Sequence, residues 1–324
     1  MEPAFTRLVG CSVPLQQAGF AGAATPELAG AVANAGGLGM VGMSVVPPNE
    51  VAATLAALNR VRAGRVGMNF LVPFLDEAVV ETAAPHVRVV EFFYGDPEGR
   101  LVERVHSAGA LADWQVGSVD EAKAAEQAGC DFIVAQGIEA GGHIRGTIGL
   151  LALLDEVLDQ VEIPVLGAGG IGGARTMAAV LAAGAAGVRV GTRFVATTAS
   201  AAHPDYIDAL VGACAADTVY TTAFSAGWPD APHRSLRSAV AAMEAFDGEV
   251  VGETVVGPIR SPIPKGAASS PTKHVRGAIE AMALHAGESV GKVRRVESAG
   301  EVVRELAEGA EALLRVWGDQ GRAI

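Results

Sequence analysis

Eight short apolar runs alternate with helical patterns through the first two hundred residues. No other feature constrains the fold as strongly. The candidate strands are residues 13–17, 38–41, 66–70, 87–93, 112–116, 132–136, 164–168 and 187–190. Several are nearly continuous apolar runs, the pattern of strands buried on both faces. The segments between them carry helix start and stop signals. Thr25 caps a helix with Pro26 in its first position and Gly36 beyond its end. Asp96-Pro97 offers the same device, with Gly109 after the last turn. Ser118-Val-Asp-Glu121 reads as a capping box on a helix that Gly129 ends, and Gly184 closes the helix before the eighth run. A doubly wound open sheet is the alternative, but eight repeats in roughly 190 residues favour an α/β chain closed as a (β/α)8 TIM barrel.

The pattern weakens after the eighth run. Residues 221–235 and 256–273 are rich in Pro and Gly and read as loop. Residues 298–317 regain a strong helical period. The expected organisation is a barrel over residues 1–200, a small, mostly helical and loop elaboration over its mouth at 201–290, and a C-terminal helix packing back at 291–324. With 41 glycines and few aromatics, the core must be built from small apolar side chains. A net charge of −12 argues against a nucleic-acid surface. The three cysteines Cys11, Cys130 and Cys214 show no CxxC or metal-ligand spacing, and their odd number suits a reducing cytoplasm. Neither a secretory signal pattern nor a membrane-length apolar run is present.

Three segments carry chemistry. Ala135-Gln-Gly-Ile-Glu-Ala-Gly-Gly-His-Ile-Arg-Gly146 follows the sixth strand directly. Its glycines make a poor helix and let backbone approach a ligand closely, and it holds a Gln, a Glu, a His and an Arg at the end of the barrel that carries function. Pro164-Val-Leu-Gly-Ala-Gly-Gly-Ile-Gly-Gly173 ends the seventh strand, and Val188-Arg-Val-Gly-Thr-Arg193 ends the eighth. Loops after these two strands form a frequent phosphate site of this fold, so Gly169, Gly170, Gly191 and Thr192 are the natural phosphate donors. Gly167-Ala-Gly-Gly-Ile-Gly172 fits GxGxxG by letter, but no acidic residue follows about twenty positions on, so the phosphate suits a mononucleotide such as FMN. There is no Walker loop and no HExxH.

These strings, together with Thr25-Pro-Glu-Leu28, Ala35-Gly-Gly-Leu-Gly39, Asn69, Gly191-Thr-Arg-Phe194 and His285-Ala-Gly287, resemble the nitronate monooxygenase family. These are FMN-dependent barrels related to the flavin enoyl-ACP reductases. The resemblance implies that Ala18, Gly19 and Phe20 lie along the flavin ring and that Asn69 bonds the ring or ribityl chain. It places Gln136, Gly141 and Gly142 against the flavin, the phosphate on Gly169, Gly170, Gly191 and Thr192, and His143 on the substrate side. It further implies oxidation of a nitronate or nitroalkane with O2 in a cytoplasmic monomer or homodimer. His143 would act as a base or, protonated, as an electrostatic partner.

Three departures from the family pattern concern the substrate pocket: Ala18-Gly-Phe20 after the first strand, Thr198-Ala-Ser200, and His285-Ala-Gly-Glu288. Two other readings use the same scaffold. One is an NAD(P)H-dependent reductase of a quinone or enoyl thioester, and the other is a flavin-binding protein without catalysis. Among the remaining residues, His86 and His106 read as surface or structural. His203, His233 and His274 sit in the mouth elaboration, with the 228–234 stretch reading as a packed loop. His285 reads equally as facing the flavin or not. Cys130 and Trp317 read as packing.

Overall fold

The structure, a computed structural model, describes residues 3–43, 46, 48–60 and 65–320. Eight parallel strands close a barrel: β1 (Leu15–Gln17), β2 (Leu38–Gly42), β3 (Arg65–Leu71), β4 (Val89–Phe93), β5 (Leu111–Val116), β6 (Phe132–Gln136), β7 (Val165–Ala168) and β8 (Gly187–Val190). They pair in chain order, and Leu15, Gln16 and Gln17 register against Val188, Arg189 and Val190 to close the ring. All eight candidate strands lie in it. The helices sit outside, where their apolar faces and the outward strand residues Val41, Met68, Val90, Phe92, Trp114 and Ile133 form the largest core.

Local signals set several of the helix starts. Thr25 accepts from Leu28 N–H, and Ser118 accepts from Glu121 N–H. The Asp96-Pro97 start is corrected. That helix spans Gly99–Ser107 with Glu98 at its N-cap and no side-chain cap. Asp96 is instead drawn to the Arg145 guanidinium at 3.0 Å. One end of the barrel is stoppered by Phe5, whose ring meets Phe132 edge-on at 5.3 Å between centroids. Leu38, Met40, Val89, Val134 and Leu166 continue that apolar plug.

Past β8 the chain builds a second core over the mouth, from Tyr206, Leu210, Phe224, Leu236, Met243, Val251, Met282 and Leu284 among others. This insertion holds more strand than its sequence suggested. Strand Thr218–Thr221 pairs with His233–Leu236, which pairs in turn with the two residues Gly142–His143 of the loop after β6. A second sheet runs Ile259–Pro264, Val250–Val256, Val275–Gly277. Its Ile259–Pro264 member contains two prolines and reads as loop, yet it is an edge strand, where a missing N–H is tolerated. The helix Ala299–Gln320 packs back on the helices Ala174–Ala182 and Pro26–Asn34. Trp317 is corrected: it stands 46% exposed on that helix, whereas Cys130 is core. Among the described residues no helix is long and apolar enough to cross a membrane.

Candidate active site

The loop after β6 is pinned to the insertion by its backbone. His143 registers with His233 and Gly142 with Arg234. The Arg234 guanidinium donates to Ile138 O from Nε and Nη2 at 3.1 and 2.9 Å. Glu288 N–H donates to Glu139 O at 2.9 Å. A Cβ on Gly141 would lie 2.4 Å from Gly287 N, so only glycine lets these two backbones meet. Glu139, whose side chain lies beside Gly170, accepts from Leu150 N–H and so caps the helix Leu150–Leu158.

This pinning fixes His143. Its ring stacks on Trp228 at 3.9 Å between centroids and 26° between planes. His233 and His285 each lie 5.4 Å from it and 5.3 Å from one another, making a triangle of imidazoles. Two of the three are fully occupied. His233 bonds Ala231 O and Phe224 N–H, and His285 bonds Ser235 Oγ and Ala268 O. His143 differs, because its Nε2 is buried with no hydrogen-bond partner among the described residues. Burial first, then the neighbouring His285 and His233, push its pKa down to about 2. Burial and then His233 push His285 down to about 4, and burial lowers His233. All three are neutral near pH 7. Gln136, ending β6, donates from Nε2 to His143 O at 3.0 Å, while its Oε1 is likewise buried and unpartnered.

The remaining candidates fall at the same end of the barrel. Gly169 and Gly170 leave β7 with φ of +110° and +67°, the left-handed region that favours glycine. Their N–H groups find no acceptor among the described residues. Gly191 caps the short helix Thr192–Val195, whose first N–H groups have no intrahelical acceptor. Thr192 is buried and accepts from Gly287 N–H at 3.1 Å. Across the mouth, Ala18 N–H donates to Val190 O, and a Cβ on Gly19 would lie 2.7 Å from Asn69 Cβ. Phe20 packs between the barrel core and the insertion core. Asn69, 4% exposed, donates from Nδ2 to Glu91.

Tyr94 escaped the sequence reading. Just past β4, it sits at φ +67° and meets Trp228 edge-on at 4.6 Å, with Arg145 over its ring at 5.8 Å. Trp228 does lie in a packed loop, as expected, but it packs on His143 itself. His106 bonds Asp131, His203 caps the helix Pro204–Val211, and His86 and His274 are exposed.

Comparison with known proteins decides the family. The nitronate monooxygenase family model matches residues 2–84 and 75–309. The chain belongs to the nitronate monooxygenase family. It is an oxidoreductase of a flavin-dependent kind. A curated relative, a probable nitronate monooxygenase of Staphylococcus aureus, is 30% identical over 311 residues, covering 82% of this chain and 86% of the relative. FabK from Thermotoga maritima superposes with a TM-score of 0.82 at 26% identity, covering 99% of both chains. A nitroalkane oxidase from Streptomyces ansochromogenes gives a TM-score of 0.76 at 30% identity, covering 97% of this chain and 99% of that one.

Proposed function

We propose that this chain binds FMN at the barrel mouth and oxidises small nitronates with O2. The observation that carries the reading is the buried, unpartnered Nε2 of His143, set at the same barrel end as a glycine-built phosphate cradle. The residues fit the cofactor. Gly169 and Gly170 turn unbonded N–H groups out of β7, and the N-terminus of Thr192–Val195 adds more, which suits one phosphate dianion. Gln136 Oε1 is an acceptor without a donor. Asn69 and the Ala18-Gly19-Phe20 turn would line the opposite side. A single cradle, with no second nucleotide site among the described residues, favours FMN over FAD. When bound, FMN supplies the redox chemistry between substrate and dioxygen.

The state of His143 selects among substrates. A group whose pKa sits near 2 gives up a proton readily and holds one poorly, so it is a weak base for a neutral nitroalkane. A nitronate has already lost that proton. In its Nε2–H tautomer, neutral imidazole donates a hydrogen bond to a nitronate oxygen, an interaction strengthened by burial. Trp228 and Tyr94 hold water away from that bond. This division of labour needs no imidazolium.

Anaerobic mixing tests the reading against a nicotinamide-dependent reductase. A nitronate should bleach the bound flavin, which oxygen restores, and the chromophore released on denaturation should be FMN. Bleaching by NADH or NADPH alone would reassign the chain as a reductase. Bleaching by none of them would leave flavin binding without this chemistry.

A further inference from the structure

Above its apolar plug the barrel axis carries one polar layer. Asn69 on β3, Glu91 on β4 and Asp113 on β5 are successive register partners, and Gln16 on β1 registers with Arg189 on β8. Gln16, Glu91 and Asp113 are wholly buried, and Asn69 and Arg189 are 4% and 8% exposed. Arg189 Nη1 donates to Glu91 Oε2. Gln16 Nε2 donates to that same oxygen at 3.0 Å and to Asp113 Oδ2 at 3.2 Å. Burial and then the neighbouring Glu91 hold Asp113 well above the usual carboxylate range.

An ion pair on the axis is an expensive substitute for the branched apolar side chains that usually fill such layers. The bond pattern shows what it accomplishes. One oxygen of Glu91 serves Arg189 and Gln16, and the other, Oε1, takes the Nδ2 proton of Asn69. A carboxylate only accepts, so Asn69 must turn its NH2 toward Glu91 and keep its carbonyl oxygen for another donor. Asn69 is hemmed from the other side by Gly19, where even a methyl group would collide with it.

We infer that Glu91, held in place by Arg189, is the positioning residue for Asn69, locking its amide so that it offers the flavin an acceptor rather than a donor. The inference rests on the reading that Asn69 contacts FMN. A flavin presents matching donors in its ring N–H and its ribityl hydroxyls. The layer thus supplies one fixed acceptor at the mouth, while its charges neutralise each other below it.

Two double variants separate positioning from packing. Both remove the charges together, which avoids leaving one buried ion alone. Glu91→Gln with Arg189→Met keeps an oxygen that accepts from Asn69. Glu91→Met with Arg189→Met removes it. The readouts are the FMN dissociation constant, from ultrafiltration of serially diluted holoprotein, and the melting temperature. The first pair should hold FMN within about threefold of the parent, and the second should lose roughly 10-fold or more, the scale of one lost charge-assisted hydrogen bond. Equal affinities in the two would overturn the inference. Asn69→Ala tests the underlying reading separately: undiminished FMN affinity there would remove Asn69 from the cofactor site.

A spectroscopic measurement on the parent covers the case in which a double variant does not fold. The chain has four asparagines, so selective 15N-asparagine labelling gives four side-chain amide pairs. The pair missing from Asn69→Ala should exchange with solvent far more slowly than those of the exposed Asn34 and Asn59. Fast exchange would mean that Glu91 does not hold it.

Discussion

His143 owes its free nitrogen to its neighbours. His233 and His285 spend both ring nitrogens on the insertion, and Trp228 covers a face of the His143 ring without offering it a bond. If Nε2 donates to the substrate, His143→Ala should keep its flavin and lose about 10²–10³-fold in turnover of a preformed nitronate, the cost of one stabilising donor. His143→Gln, which can still donate, should recover part of that loss. Turnover at the parental rate by flavin-loaded His143→Ala would remove this residue from the mechanism. The cradle makes a second test. Gly170→Asp puts a Cβ at φ +67° and a negative charge where the phosphate is placed, so FMN affinity should fall by orders of magnitude, read as flavin content after purification. Unchanged content would place the phosphate elsewhere. These two residues were legible because each is conspicuous in its string: a lone His among glycines, and a glycine pair at a strand end. Glu91 and Arg189 were equally conspicuous as charges inside apolar runs. Reading those runs only for strand character hid them, because a strand assignment does not say which side chains meet across a barrel.

Among elements, Arg193 ties together parts that are far apart in sequence. It is 3% exposed; it donates to Gly172 O at 2.7 Å and to the carboxylates of Glu297 and Glu305 at 3.0 and 2.7 Å. One guanidinium therefore joins the turn after β7, the start of the helix after β8, and the C-terminal helix Ala299–Gln320. Removing Arg193 leaves the Gly172 carbonyl and the largely buried Glu297 carboxylate unpaired, at a cost of roughly 1–3 kcal/mol, while the half-exposed Glu305 regains water. Arg193→Met should lower the melting temperature, and added FMN should restore less of it than in the parent, because the Gly169–Gly172 turn is no longer held. A full restoration by FMN would mean that Arg193 steadies the helix alone. The barrel strands and this helix were readable because each is an apolar pattern of ordinary length. The insertion was not, since its strands run three to seven residues and take their partners from the loop after β6 and from distant edges. Such pairings leave no periodicity for a sequence reading to find.

For the molecule as a whole, the three neutral imidazoles make stability depend on pH, with a definite sign. They sit where the insertion closes on the barrel, and each has its pKa lowered, His143 to about 2 and His285 to about 4, in each case chiefly by burial. In the unfolded chain a histidine takes up its proton near pH 6.5. Between that value and the lowered one, the unfolded state binds the proton and the folded state does not, so stability rises with pH across the window. The contribution is fully present above about pH 6.5 and is lost as the pH falls below it. At pH 5 each histidine that stays neutral in the fold should cost up to about 2 kcal/mol relative to pH 7.5. The groups share one junction, so the loss should show first as release of the insertion from the barrel, exposing the Trp228 and Tyr94 rings. Tryptophan fluorescence and circular dichroism melts at pH 7.5 and 5.0 measure this directly, with His143→Gln as the comparison because glutamine does not titrate there. The parent should lose more melting temperature between the two pH values than His143→Gln does. Equal losses would show that the acid sensitivity arises from carboxylates rather than from the histidine triangle.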